Sequence, residues 1–159
     1  MDFDTAVKLN LYDTLARTAR APSTRDVARA LGAPLQDVAA AFRRLHEKRL
    51  LVPEPGDPER IRMAPPFSGV ETAFRVRIDT RVYFANCAWD ALGIPAALHR
   101  DAVVEASDGH TGEPVPLEVR NAQPVPRPCV IHFAVPAARW WEDILTPEPR
   151  CSSSGRKRT

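Results

Sequence analysis

The first third of this chain reads as helical, and that limits the folds open to it. Through residue 49 the apolar residues recur at helical spacing, and most of those beyond it alternate or cluster in short strand-like runs. Ala6, Leu9, Leu11, Leu15 and Ala19 predict a first helix that ends before Ala21-Pro22-Ser23. Ser23 or Thr24 suits an N-cap with Asp26 in the first turn, and Val27, Ala30 and Leu31 form a face that stops at Gly32. Pro34 opens a third helix with Leu35, Val38, Ala39, Phe42 and Leu45 on one side, ending near Arg49. Leu50-Leu51-Val52 and Arg60-Ile61-Arg62-Met63 predict two strands around a Pro-rich tip. Three helices followed by a hairpin form the winged-helix pattern, with PSTRDVARALGAPLQDVAAAFRRL as its helix-turn-helix.

Ala64-Pro65-Pro66-Phe67-Ser68-Gly69 reads as a linker. After it, Phe74–Ile78 and Val82–Ala85 predict strands and Cys87–Leu98 a helix limited or kinked by Pro95. Ala102–Ala106 and Val115–Val119 flank a turn at 108–112, as in a hairpin, and Cys129–Val135 predicts another strand. Ala137–Leu145 suits a short amphipathic helix or turn. The expected fold class is α+β: a winged-helix-like unit over 1–63, a small and mostly antiparallel strand-rich core over 64–150, and a disordered basic tail over 151–159.

Lys and Arg total 22 against 20 Asp and Glu, so no global charge demands a nucleic-acid or membrane partner. No run approaches the ~20 apolar residues of a membrane span. The acidic, amphipathic start MDFDTAVKLN lacks the pattern of a signal peptide, which makes the cytoplasm the expected compartment. DNA remains a conceivable partner of the helix-turn-helix, but the chemistry does not favour it. At the start of the recognition helix only Gln36 can read a base, and Asp37 repels phosphate. Arg43, Arg44, His46, Lys48 and Arg49 lie toward the far end.

Three cysteines, Cys87, Cys129 and Cys151, are too few and too scattered for a disulfide framework, and no Cys-x-x-Cys pair suggests structural zinc. His110 and His132 have no Cys or His partner at ligand spacing. Cys129, inside a strand-like run, reads as packing. Cys87 lies where a strand gives way to a helix, a position that stabilises thiolate and lowers the thiol pKa. Asp90, three residues on, shares its helix face. A thiolate beside a carboxylic acid can bind a soft electrophile and give it a proton. A buried cysteine with a first-turn aspartate is the plainer reading of the same residues.

The segment RVYFANCAWDALGIPAAL resembles the central motif of the alkylmercury lyases. The resemblance extends to Phe67–Val70 and Phe74–Val76 upstream, and to His110–Val115 and Val130–Pro136 downstream. It implies a winged-helix-like N-terminal domain and an enzyme that cleaves carbon–mercury bonds with two cysteines and one aspartate, without an added cofactor. In that register Cys87 and Asp90 are the motif pair, and Cys151 is the second cysteine. Cys87 and Cys151 then hold mercury as substrate and product, Asp90 protonates the carbon, and an exogenous thiol removes Hg(II). The pocket around Trp89, Phe84 and Phe133 is expected to be apolar, which suits an organic group and favours the neutral form of Asp90. The resemblance also implies a chain shortened after Cys151, either active or degenerate. The alternative is a winged-helix regulator that senses a metal or small molecule through Cys87.

Overall fold

The computed structural model describes residues 1–108, 111–131, 133, 136–142 and 151–153. The chain forms two compact units, Met1–Glu71 and a second from Thr72 onward, and is α+β with antiparallel sheets.

In the first unit, α1 (Phe3–Thr18) starts where the Asp2 carboxylate accepts the Thr5 N–H, and ends at Ala19 in the left-handed region. Its buried stripe is Val7, Leu11 and Leu15, spaced by four. Leu9, expected on that face, is 54% exposed, because two residues turn it about 200° from Val7. A capping box between Ser23 and Asp26 opens α2 (Thr24–Leu31), and Gly32 closes it at φ 61°. Pro34 precedes α3 (Leu35–Glu47), which buries Val38, Ala41, Phe42 and Leu45. Asp4 on α1 accepts hydrogen bonds from Arg44 and Lys48, tying the first helix to the third.

The predicted hairpin is present as β1 (Val52–Glu54) and β2 (Asp57–Ala64). The segment expected as a linker adds a third strand, β3 (Phe67–Ser68), antiparallel to β2. Tyr12 secures this end by donating its hydroxyl to the Leu50 and Pro65 carbonyls. Gly69 then passes so close to β2 that a Cβ there would lie 1.9 Å from the Ile61 carbonyl oxygen. Extended backbone beside an open strand edge finds ladder partners that composition cannot reveal.

The second unit is built on a five-stranded antiparallel sheet, ordered β5-β4-β6-β7-β8. Its strands are β4 (Phe74–Ile78), β5 (Arg81–Ala85), β6 (Ala102–Glu105), β7 (Leu117–Arg120) and β8 (Gln123–Pro124). Asp79, at φ 51°, turns β4 into β5. Helix α4 (Ala88–Leu98) carries the chain from β5 to β6, on the far side of β4, and runs through Pro95 before ending at His99. Strand alternation divides the sheet into two faces. Val76, Ile78, Tyr83, Ala85, Ala102, Val104, Leu117 and Val119 are buried, together with Ala88, Ala91, Ile94 and Pro95 of α4. The opposite face carries Arg75 and Arg77, both paired with Glu105. At ~25 cal/mol per Å2, burial of a side chain such as Ile94 contributes about 2 kcal/mol to holding helix on sheet.

Strand β9 (Cys129–Ile131) is shorter than expected, and Phe133 follows it outside any strand. Ala137–Glu142 forms a 3-10 turn. Cys151–Ser153, expected to begin a frayed tail, forms β10 antiparallel to β9, with Cys151 opposite Ile131. Residues 154–159 lie outside the described residues. Among the described residues no helix is long and apolar enough to cross a membrane.

Candidate active site

The site grows from the junction of β5 and α4. Thr72 Oγ1 donates to the Ala85 carbonyl at 2.5 Å and fixes the last residue of β5. Asn86 bridges to Cys87, which is the N-cap of α4 in extended conformation. Cys87 Sγ accepts the main-chain N–H of Asp90 at 3.4 Å. Sulfur here does what a serine hydroxyl does at other helix starts.

The sequence expectation of an acidified thiol does not hold. Burial first, and then the Asp90 charge, push the Cys87 thiol up to about 11. The main-chain N–H groups of Asp90 and Trp89 pull the other way, as a helix start should, and lose. Burial also raises Asp90, to about 6, while the Cys87 and Asn86 side chains exert a smaller lowering influence. Near neutral pH the pair therefore holds one proton on sulfur and one negative charge on the adjacent carboxylate. Helix α2 shows the contrast. Ser23 and Asp26 have the same spacing, but Asp26 is exposed and its carboxyl is held below the usual range by hydrogen bonds from Ser23.

Asn86 was not visible as a site residue in the sequence. Its Nδ2 is shut off from solvent and makes no close hydrogen bond among the described residues. Thr72 was equally silent, since a hydroxyl that reaches across thirteen positions leaves no local pattern. Of the three aromatics expected around the thiol, Trp89 and Phe133 meet edge to face, with centroids 6.3 Å apart, and Trp140 lies 5.2 Å from Phe133 with the rings tilted by 32°. Trp89 stays 59% exposed. Phe84 lies elsewhere: it sits under the Arg75 guanidinium, on the sheet face opposite Tyr83 and Ala85.

Cys129 is a half-buried free thiol beside a cleft of about 210 Å3 that Asp108, Glu113 and Arg127 help to line. Cys151 has its backbone placed by β10, while its side chain lies outside the described residues. His110 and His132 also lie outside them. Among the described residues no three His, Cys, Asp or Glu side chains gather as a metal site.

The sequence model of the alkylmercury lyases matches residues 67–151, more than half of the chain. The chain belongs to the alkylmercury lyase family. The part matching the alkylmercury lyases runs from β3 to the first residue of β10 and contains the Cys87–Asp90 pair. Among solved structures, the mercury-bound form of MerB2 is similar at 22% identity and a TM-score of 0.66, over 82% of this chain and 64% of that one. This alkylmercury lyase-family chain thus shares a fold with that protein and spans less than two thirds of its length. No curated protein matches the chain.

Proposed function

We propose that the protein cleaves the carbon–mercury bond of organomercurials by protonolysis, releasing a hydrocarbon and Hg(II). The observation that carries this reading is the pairing of Cys87 and Asp90 on the first turn of α4, within the segment matched by the family.

The chemistry follows from where the proton of that pair sits. Mercury is a soft acid, so a sulfur lone pair of Cys87 displaces the thiolate that accompanies the substrate. As the sulfur–mercury bond forms, the thiol proton passes to the Asp90 carboxylate. Cys151 supplies the second sulfur by family resemblance, and its proton leaves on the displaced thiolate. Two sulfur donors enrich the carbon in electron density. The carbon–mercury bonding pair then takes the proton from Asp90, which returns to carboxylate. One organomercurial thiolate and two protein thiols give one hydrocarbon, one free thiol and Hg(II) bridged by two sulfurs, with mercury in the +2 state throughout. Exogenous thiol then carries Hg(II) away.

A carboxyl raised to about 6 suits both halves of this task. It is basic enough to take a proton and acidic enough to return it near neutral pH. The regulator reading gains no support from the first unit, where Arg44 on α3 is engaged by Asp4.

The test is to incubate phenylmercury with the folded chain and excess thiol and to measure benzene by gas chromatography. Release well above the thiol-only background, abolished in Cys87→Ser, is the expected result. Benzene at background level from folded protein overturns the reading.

A further inference from the structure

Strands β9 and β10 form a sheet of their own, apart from the five-stranded one. Two strands alone are marginal in water and persist by packing on something else. The register sets Cys151 opposite Ile131, so whatever docks the C-terminal end of β9 also places the backbone of Cys151. Phe133, two residues past Ile131, makes such a contact. Its ring meets Trp89 edge to face, with 69° between the planes, and the Trp140 ring of the 3-10 turn lies against it. Trp89 belongs to the first turn of α4, two residues past Cys87. Ala88 and Ala91 on either side of it are fully buried, whereas Trp89 is largely exposed. The Trp89 ring therefore stands outside the core beneath α4 and makes its contact on the β9 side. One aromatic contact thus joins the helix that carries the first thiol to the segment following the strand paired with the second cysteine.

We propose that Trp89, Phe133 and Trp140 form a clasp that docks the β9–β10 ladder on the start of α4 and so positions Cys151 for the mercury held by Cys87. The proposal rests on the lyase reading only in taking Cys151 as the second sulfur. Trp89 is a positioning residue, acting through Phe133 and the ladder rather than on the mercury. Aromatic pairs prefer particular ring arrangements, so they fix an angle as well as a distance between two elements. With the clasp closed, the second thiol competes for mercury at a high effective concentration. With the clasp removed that concentration falls, and a free thiol from solution takes the second position instead. In that exchange the incoming thiol gives its proton to the sulfur it displaces, and mercury stays in the +2 state.

The test reads the second sulfur directly. The full chain, in a Cys129→Ser background, is loaded with one equivalent of Hg(II) and titrated with glutathione. Native mass spectrometry separates mercury bridged by the protein alone from mercury that carries a glutathione. Bridged mercury should persist in the parent, and Cys151→Ser should hold mercury only together with glutathione. Trp89→Ala should lower the glutathione concentration at half-conversion by about tenfold or more, and Trp89→Phe, which keeps a ring, should restore most of it. Phe133→Leu should match Trp89→Ala, and combining the two should lose no more than either alone, because both open one contact. Phenylmercury capture by Cys87, timed in a Cys129→Ser, Cys151→Ser background, should stay within about twofold of the parent in Trp89→Ala. If Trp89→Ala does not fold, Phe133→Leu carries the same comparison. A parent-like midpoint in folded Trp89→Ala, or additive losses in the double variant, overturns the proposal. So does a loss of Cys87 capture that equals the loss of bridging, since the start of α4 itself would then be disturbed. Clasp-dependent bridging in a chain that releases no benzene from phenylmercury overturns the lyase reading and leaves this one standing.

Discussion

The Asp90 main-chain N–H donates to Cys87 Sγ at 3.4 Å, so the groups that would break a carbon–mercury bond also start a helix. The cap holds the thiol and the carboxyl on one turn. The Ser23–Asp26 start of α2 has the same spacing without the burial, and hydrogen bonds from Ser23 hold its carboxyl below the usual range. Burial, not spacing, separates the two.

That burial sets a pH-dependent stability. Asp90 rises to about 6 in the fold from an ordinary value near 4. A carboxyl raised on folding contributes its full stability below about pH 4 and loses it as pH climbs through 6. The loss amounts to about 2–3 kcal/mol. Asp90→Asn should therefore be more stable than the parent in urea unfolding at pH 7.5, with little difference at pH 3.5. Equal midpoints at pH 7.5 would contradict the assigned environment.

The thiol should be slow toward ordinary alkylating agents. With its pKa pushed up to about 11, Cys87 in folded protein should react with iodoacetamide at pH 7.5 about a hundredfold more slowly than in urea. Asp90→Asn should lower the alkylation midpoint, because a neighbouring negative charge is gone. Peptide mass spectrometry reads both. Rapid labelling of Cys87 at neutral pH would show that the helix start outweighs burial after all.

The three cysteines should separate by function. Cys129→Ser should release benzene from phenylmercury within about twofold of the parent, whereas Cys87→Ser should lose about a hundredfold or more. Cys151→Ser should still capture mercury through Cys87 but release hydrocarbon poorly. An equal loss from Cys129→Ser and Cys151→Ser would remove the distinction drawn between them.

Gly69 should tolerate no side chain. A Cβ there would meet the main-chain oxygen and carbon of Ile61 at 1.9 and 2.9 Å, and neither can swing away. Gly69→Ala should destabilise the first unit by about 2–4 kcal/mol, seen as a lower thermal midpoint. A loss below about 1 kcal/mol would mean that β2 and the Gly69 segment part easily.

What the sequence made legible was local. Ser23, Asp26 and Gly32 mark α2 because caps are written in adjacent residues. The hairpin of β6 and β7 follows from alternation on both sides of a turn. The Cys87–Asp90 pair was visible for the same reason. What stayed hidden depends on contacts between distant residues. Phe67–Ser68 looks like linker until β2 lies beside it. The Cys87 thiol looks acidified until packing around α4 removes water from it. Cys151–Ser153 looks like tail until β9 offers a ladder. The Asn86 amide nitrogen is shut off from solvent by packing that no local pattern announces.

The hydroxyl of Thr72 on the Ala85 carbonyl has a practical corollary for anyone isolating the second unit. Thr72 is the unit's first residue, ahead of every strand in its sheet. A fragment begun at Phe74 would keep all five strands and lose a side chain that clamps the backbone immediately before Asn86 and Cys87. Such a fragment could fold and still present its thiol in the wrong place, so inactivity in it would report a misplaced cut rather than a missing domain.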